Sequence, residues 1–213
     1  MLIRDIMTAD VITIPPDTSV SDAKRIMEAH HIERLPVVDK GKLVGIVTTR
    51  RLESVSPSKA TSLSVWELTY LLNNTKVKEV MEKKVVTVTP DTTAEQAVAL
   101  AQSHKIGALV VLEAGKVVGI VTTNDFFYKI VNPILGLGSP GTRLEVANAG
   151  RAKDLKKILD EVTKLGLDVL TLHIEILPET KKRNVCLHVD TEDASDLVSN
   201  LQSQGFEVAV RKR

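Results

Sequence analysis

The chain has 213 residues with 28 basic and 27 acidic side chains, a formal net charge of +1, and so no broad electrostatic attraction for nucleic acid or an anionic membrane. Aromatic residues make up 3%, which argues against a binder that stacks single-stranded bases on aromatic platforms, and no run approaches the roughly 18 apolar residues of a membrane span. The single cysteine, Cys186, cannot close an internal disulfide, and Met1–Asp5 shows no basic region followed by an apolar run; both fit a cytoplasmic protein.

Residues 3–51 recur at 77–125 without a gap. The shift carries Met7 onto Met81, Pro16-Asp17-Thr18 onto Pro90-Asp91-Thr92 and Gly41-Lys42 onto Gly115-Lys116. Gly45-Ile46-Val47-Thr48-Thr49 returns unchanged as Gly119-Ile120-Val121-Thr122-Thr123, after which Arg50-Arg51 stands against Asn124-Asp125. The period exceeds a solenoid repeat of roughly 20–50 residues and marks a domain-sized duplication.

Each copy reads as strand, helix, strand, strand, helix. Val11-Ile12-Thr13-Ile14 is a β-branched strand stopped by Pro15-Pro16, whose rings fix φ and remove two donors. Asp17, Thr18 or Ser19 caps a helix with Ala23, Ile26, Met27 and His30 on one face. In the second copy Thr92 and Glu95 have capping-box spacing, ahead of Ala97, Leu100, Ala101 and His104. Leu35–Val38 and Leu43–Val47 are apolar strands joined by Asp39-Lys40-Gly41-Lys42, a hairpin turn matched by Glu113-Ala114-Gly115-Lys116. His30 and His104 close matching helices, where an imidazole complements the negative helix end.

Between the copies, residues 56–62 read as loop and Ser64–Leu72 as a short helix carrying Trp66 and Tyr70. Asn132-Pro133 ends the helix that begins near Asp125, and Gly136–Gly141 has linker composition. The last segment predicts a strand at Leu144–Ala147, a helix at Asp154–Leu165, strands at Val169–Leu177 and Val185–Val189, a helix at Ala194–Ser203 and a strand at Phe206–Val210. That order is the ferredoxin-like α+β order. Arg211-Lys212-Arg213 reads as a solvated terminus.

The early Met7-Thr8 or Met81-Glu82, the helix, Ile32-x-x-Leu35-Pro36-Val37-Val38 and the ending Gly119-Ile120-Val121-Thr122-x-x-Asp125 resemble a CBS domain. Two in tandem resemble a Bateman module, and the third segment resembles an ACT domain. The fold class is α+β: a pseudo-symmetric CBS pair plus a ferredoxin-like ACT domain. Expected boundaries are 1–62 and 63–135 for the two CBS domains, 136–141 for a linker and 142–213 for the ACT-like domain. The domain order and the Arg51–Ser58 segment are similar to the acetoin-utilisation B type of protein.

The resemblance implies a non-catalytic regulatory homodimer, acting on an unidentified protein, that binds AMP, ADP, ATP or S-adenosylmethionine between its CBS units and needs no cofactor. Asp125 would accept the ribose hydroxyls, with Thr122, Thr123 and Asn124 at a helix start beside the phosphate. Val85, Val86, Ile106, Gly107 and Ala108 would line the base pocket of that second unit. The alternative for Asp125 is a helix cap. In the first copy Thr48 is retained, but Arg51 stands where the ribose carboxylate belongs, and a guanidinium accepts no hydrogen bonds. Arg50 or Arg51 reaches the phosphates of the nucleotide bound mainly by the second unit, or else pairs with carboxylates such as Glu53. Arg34, opposite Ala108, carries the same choice. A nucleotide-free dimerisation module is the competing function.

No Walker loop, Gly-x-Ser-x-Gly, Cys-x-x-Cys or His-Glu-x-x-His is present, so enzyme readings lack support. In the third segment a hairpin centred near Thr180 would set His173 across from His188 and Glu175 across from Cys186 on the open sheet face. Those donors suit either a transition metal or a polar, dimer-forming face. The Asn148–Lys153 turn lacks the Arg-Pro-Gly of many amino-acid-binding ACT domains, leaving an amino-acid site and a structural role both open.

Overall fold

Each repeat starts with a helical turn that ends on its methionine, and each of these turns docks on the other repeat. In the computed structural model, which describes residues 1–55 and 64–211, these are α1 (Ile3–Ile6) and α5 (Val77–Val80). The chain divides into two compact units, Met1–Phe126 and Phe127–Arg213. The expected loop at 56–62 and residues 212–213 of the basic tail lie outside the described residues.

The first unit holds both repeats. The first contains α2 (Val20–His30), β1 (Arg34–Asp39), β2 (Lys42–Thr48) and α3 (Thr49–Ser54), followed by α4 (Val65–Asn74) and α5. The second contains β3 (Thr87–Val88), α6 (Ala94–His104), β4 (Ala108–Glu113), β5 (Lys116–Thr122) and α7 (Thr123–Phe126). Both hairpins close as read: Lys40 and Gly41 at φ 48° and 80°, Ala114 and Gly115 at 47° and 78°, form two-residue turns with two positive φ values. Ser19 caps α2 by accepting the Asp22 amide at 3.0 Å.

Two expectations are corrected. The capping box of α6 is Thr93 with Gln96, because Thr92 belongs to the preceding turn, where its hydroxyl accepts the Thr89 amide at 3.0 Å. Val11–Ile14 is not a strand: only Ile14 pairs, in parallel with Val37. The cause is Pro36. Its counterpart Val110 donates its N–H to Val86, a bond that a proline nitrogen has no hydrogen to make.

The two repeats are locked by exchange. Thr8 bridges Ile120, and Ile46 bridges Glu82, each pair bonded in both directions at 2.9–3.0 Å. Val77 and Val80 of the second repeat are buried in the core of the first, with Val20, Ala23, Met27, Leu35 and Val47. Gly45 and Gly119 lie where the partner's methionine crosses: a Cβ on Gly119 would stand 2.5 Å from Met7 Sδ and 3.2 Å from the Thr8 carbonyl oxygen. We therefore expect Gly119→Ala to destabilise the first unit by about 1–3 kcal/mol, the usual cost of overpacking. An unchanged urea midpoint would show that Met7 moves aside freely.

The second unit runs through a π-helical turn (Phe127–Val131), α8 (Asn132–Ile134), β6 (Thr142–Val146), α9 (Ala152–Lys164), β7 (Val169–Ile176), β8 (Arg183–Val189), α10 (Ser195–Ser203) and β9 (Val208–Arg211). Asn132-Pro133 does not end the helical segment, because Pro133 sits in the first turn of α8, where a missing N–H costs nothing. The strands form one antiparallel sheet in the order β7-β8-β6-β9. Leu144, Val146, Val185, Leu187 and Val189 pack beneath Ile158, Val162, Leu197 and Leu201 of the two long helices. The opposite face is not open throughout: His188 is buried, and Gly136 lies directly on its ring.

Candidate functional site

A cleft of about 580 Å³ opens between the two repeats of the first unit, within the range of roughly 300–1,000 Å³ of small-molecule sites. Val85, Val86, Ile106, Gly107 and Ala108 line it from the second repeat; Arg34, Ile46, Thr48, Thr49 and Arg50 line it from the first. Glu33, Glu53, Glu82 and Lys84 complete the wall. Apolar β-branched side chains thus share the space with three cations and three carboxylates.

The exchange described above places these groups. Pairing of Ile46 with Glu82 swings the end of β2 over residues 82–86, so the first repeat's Thr48 and Arg50 meet the second repeat's apolar residues. Arg34 crosses in the same way. Gly107 leaves room for it, since a Cβ there would stand 3.2 Å from Arg34 Nη2. Arg34 Nη1 also lies 3.5 Å from Glu33 Oε2. The Gly107 carbonyl in turn accepts the Thr123 amide at 3.2 Å, tying this loop to α7.

Asp125, expected beside Val85, Val86 and Ile106–Ala108, sits in α7, whose Thr123 hydroxyl also donates to the Gly107 carbonyl at 3.4 Å. Thr122, Thr123, Asn124 and Asp125 are not among the residues that line this cleft, and Ile120, just before them in β5, bridges Thr8. Asp125 Oδ2 accepts both the amide and the hydroxyl of Thr122 at 2.8 Å, and its Oδ1 lies 3.5 Å from Thr8 Oγ1. These are the bonds of a helix start. Arg51 Nε donates to the Val80 carbonyl at 2.8 Å, capping α5, while Arg50 lines the cleft.

Glu33, Ile46, Thr49, Glu53, Glu82 and Lys84 are not singled out as site residues by the sequence. Their signal lay in the duplication itself: Glu82 and Lys84 are the shifted counterparts of Thr8 and Asp10, but only the crossed pairing shows that this segment faces the other repeat.

In the second unit the hairpin register differs from the expected one. Leu177 and Lys182 close the turn, so Thr171 faces His188, His173 faces Cys186 and Glu175 faces Asn184. The shift by two residues preserves which face each side chain occupies. His173, Glu175 and Cys186 keep their donor atoms within 4.8 Å of one another, and His188 is not in that group. Burial, then the negative Glu175 carboxylate, pushes the Cys186 thiol up to about 11.

A CBS-domain family model matches residues 3–56 and 77–132. The inosine-5'-monophosphate dehydrogenase of Korarchaeum cryptofilum is 35% identical over 180 residues, 82% of this chain and 34% of that enzyme. The chain spans about a third of the length of such relatives. Among solved structures, a protein of Vibrio cholerae assigned to acetoin utilization (AcuB) is 33% identical, with a TM-score of 0.52 over 62% of this chain and 91% of that one. The CBS domain pair of protein MJ0100, in complex with 5'-methylthioadenosine and S-adenosyl-L-methionine, is 27% identical with a TM-score of 0.51, over 62% and 97% of the two chains. CBSX2 in complex with AMP is 27% identical with a TM-score of 0.52, again over 62% and 97%. Among the described residues no helix is long and apolar enough to cross a membrane.

Proposed function

Since the chain belongs to the CBS-domain family, we propose that it is a regulatory sensor, not an enzyme, and that the cleft between its repeats binds an adenosine-containing ligand. One observation carries this reading: the cleft combines apolar walls from Val85, Val86, Ile106 and Ala108 with Arg34, Arg50 and Lys84. The apolar residues suit the faces of a purine, and the cations suit phosphate through charge-assisted hydrogen bonds. Two relatives that share this fold carry AMP or adenosyl compounds, which supports the class of ligand.

The proposal extends to a cytoplasmic homodimer acting on a partner protein, with the C-terminal unit as a ferredoxin-like, ACT-type domain. Its strand and helix order supports that assignment. Ligand at 100 times its dissociation constant stabilises the competent state by about 2.7 kcal/mol, enough to shift a conformational balance it discriminates. The second reading, a nucleotide-free dimerisation module, draws on Arg51, which replaces a ribose acceptor and is committed to the Val80 carbonyl.

Calorimetric titration with AMP, ADP, ATP and S-adenosylmethionine separates them. Arg50→Ala is expected to weaken phosphate-bearing ligands by about tenfold or more, the worth of a hydrogen bond to a charged group. Asp125→Ala should leave that affinity within about twofold, a change of under 0.5 kcal/mol. Loss of binding in Asp125→Ala alone would move the ligand to the other side of the module. No binding of any of the four by folded protein would leave the dimerisation module standing.

A further inference from the structure

We propose that the C-terminal unit carries a binding site for a borderline-soft divalent transition metal of the zinc class, held by His173, Glu175 and Cys186. The argument begins with the sheet. His173 on β7 and Cys186 on β8 are directly opposed, and Glu175 lies two residues along β7 on the same face. A rigid antiparallel pair therefore delivers one nitrogen, one oxygen and one sulfur donor to a single point.

The separations fit a metal after modest adjustment. The three donor atoms lie within 4.8 Å of one another, and His173 Nε2 stands 3.6 Å from Glu175 Oε1. Tetrahedral zinc bonds of about 2.0–2.3 Å bring donors to roughly 3.3–3.8 Å apart, a closure of about 1 Å that side-chain rotation supplies. Imidazole, carboxylate and thiolate together select zinc-class ions over magnesium or calcium, which take oxygen alone.

The surroundings also ask for a ligand. His173, partly exposed, has a buried Nδ1 that makes no hydrogen bond among the described residues, and turning the ring to aim this nitrogen at the cluster would give it a partner. A cavity of about 270 Å³ stands over the cluster, lined also by Thr171, His188 and Arg143. Three protein donors leave a fourth position facing that space, so water or a small anionic group completes the coordination.

The test is titration of the tag-free full chain with Co²⁺, followed by displacement with Zn²⁺. One equivalent of cobalt is expected, with the near-ultraviolet absorption of a cobalt–thiolate bond. Because Cys186 is the only cysteine, that absorption assigns itself. Cys186→Ser should abolish it, and His173→Asn and Glu175→Gln should each weaken binding by at least about tenfold. His30→Ala, far from the cluster in sequence and exposed, should change nothing. A second measurement does not depend on the variants folding: Zn²⁺ should slow alkylation of Cys186 in the native protein by at least about tenfold. The proposal is overturned by cobalt that binds without thiolate absorption, by an alkylation rate that zinc leaves unchanged, or by folded His173→Asn with native affinity.

Discussion

Gly141→Ala is expected to destabilise the second unit by about 3 kcal/mol or more, a very large effect for one methyl group. Gly141 has φ +110°, a region that residues with a Cβ rarely enter. An added Cβ would also overlap the Val189 carbonyl oxygen and stand 3.2 Å from His188 Nε2. The backbone cannot retreat without loss, because the Gly141 amide donates to Glu192 Oε1 at 3.1 Å and Thr142 begins β6, pairing with Val189. Gly138→Ala is the companion measurement. Its φ is +85° and its Cβ would meet nothing within 4 Å, so only the backbone term of about 1 kcal/mol applies. Urea unfolding monitored by circular dichroism reads both. Equal costs at the two positions would mean that the contact with Val189 relaxes and only φ matters.

Leu35→Ala and Leu109→Ala, related by the repeat and each at most 1% exposed, should cost about 2–5 kcal/mol apiece through lost burial and a residual cavity. The more telling result concerns where that loss is felt. Val77 and Val80 pack into the first repeat's core, and Ile46 and Thr8 bond across the repeats, so neither half is complete alone. Damage at Leu109 is expected to lower amide exchange protection at Ile46 and Val47 as well as in β4 and β5. Protection lost in the second repeat only, with the first unaffected, would show that the two halves open independently.

Much of this architecture was legible in the residues. The duplication, both hairpins and the six strands and helices from β6 to β9 follow from apolar periodicity and from glycine at positions of positive φ. The failures are local competitions. Thr92 satisfies capping-box spacing but is held by a turn, and Val11–Ile14 has strand composition but faces a proline where its second-repeat counterpart meets a valine. The β7–β8 register slipped by two because the turn centre was set one residue from where Leu177 and Lys182 close it. The site was half legible. Arg34, Thr48, Arg50, Val85, Val86 and Ile106–Ala108 line one cleft, whereas Asp125, expected with them from the resemblance, bonds to Thr122 in α7; the resemblance does not say which segments meet across the repeats. Pairing between distant segments decides that, and a one-dimensional pattern does not encode which repeat a strand end will lean toward.

The exchanged methionine segments also set an order of events during synthesis. Thr8 leaves the ribosome early but finds its hydrogen-bonding partner only when Ile120 has emerged, and the first repeat's core waits for Val77 and Val80. A nascent first repeat therefore presents an unfilled apolar slot while the second is still being translated, and these non-local contacts slow its folding. During that interval the Val77–Val80 turn of a neighbouring chain has the same chemical claim to the slot, so crowded polysomes would favour swapped pairs over monomeric closure.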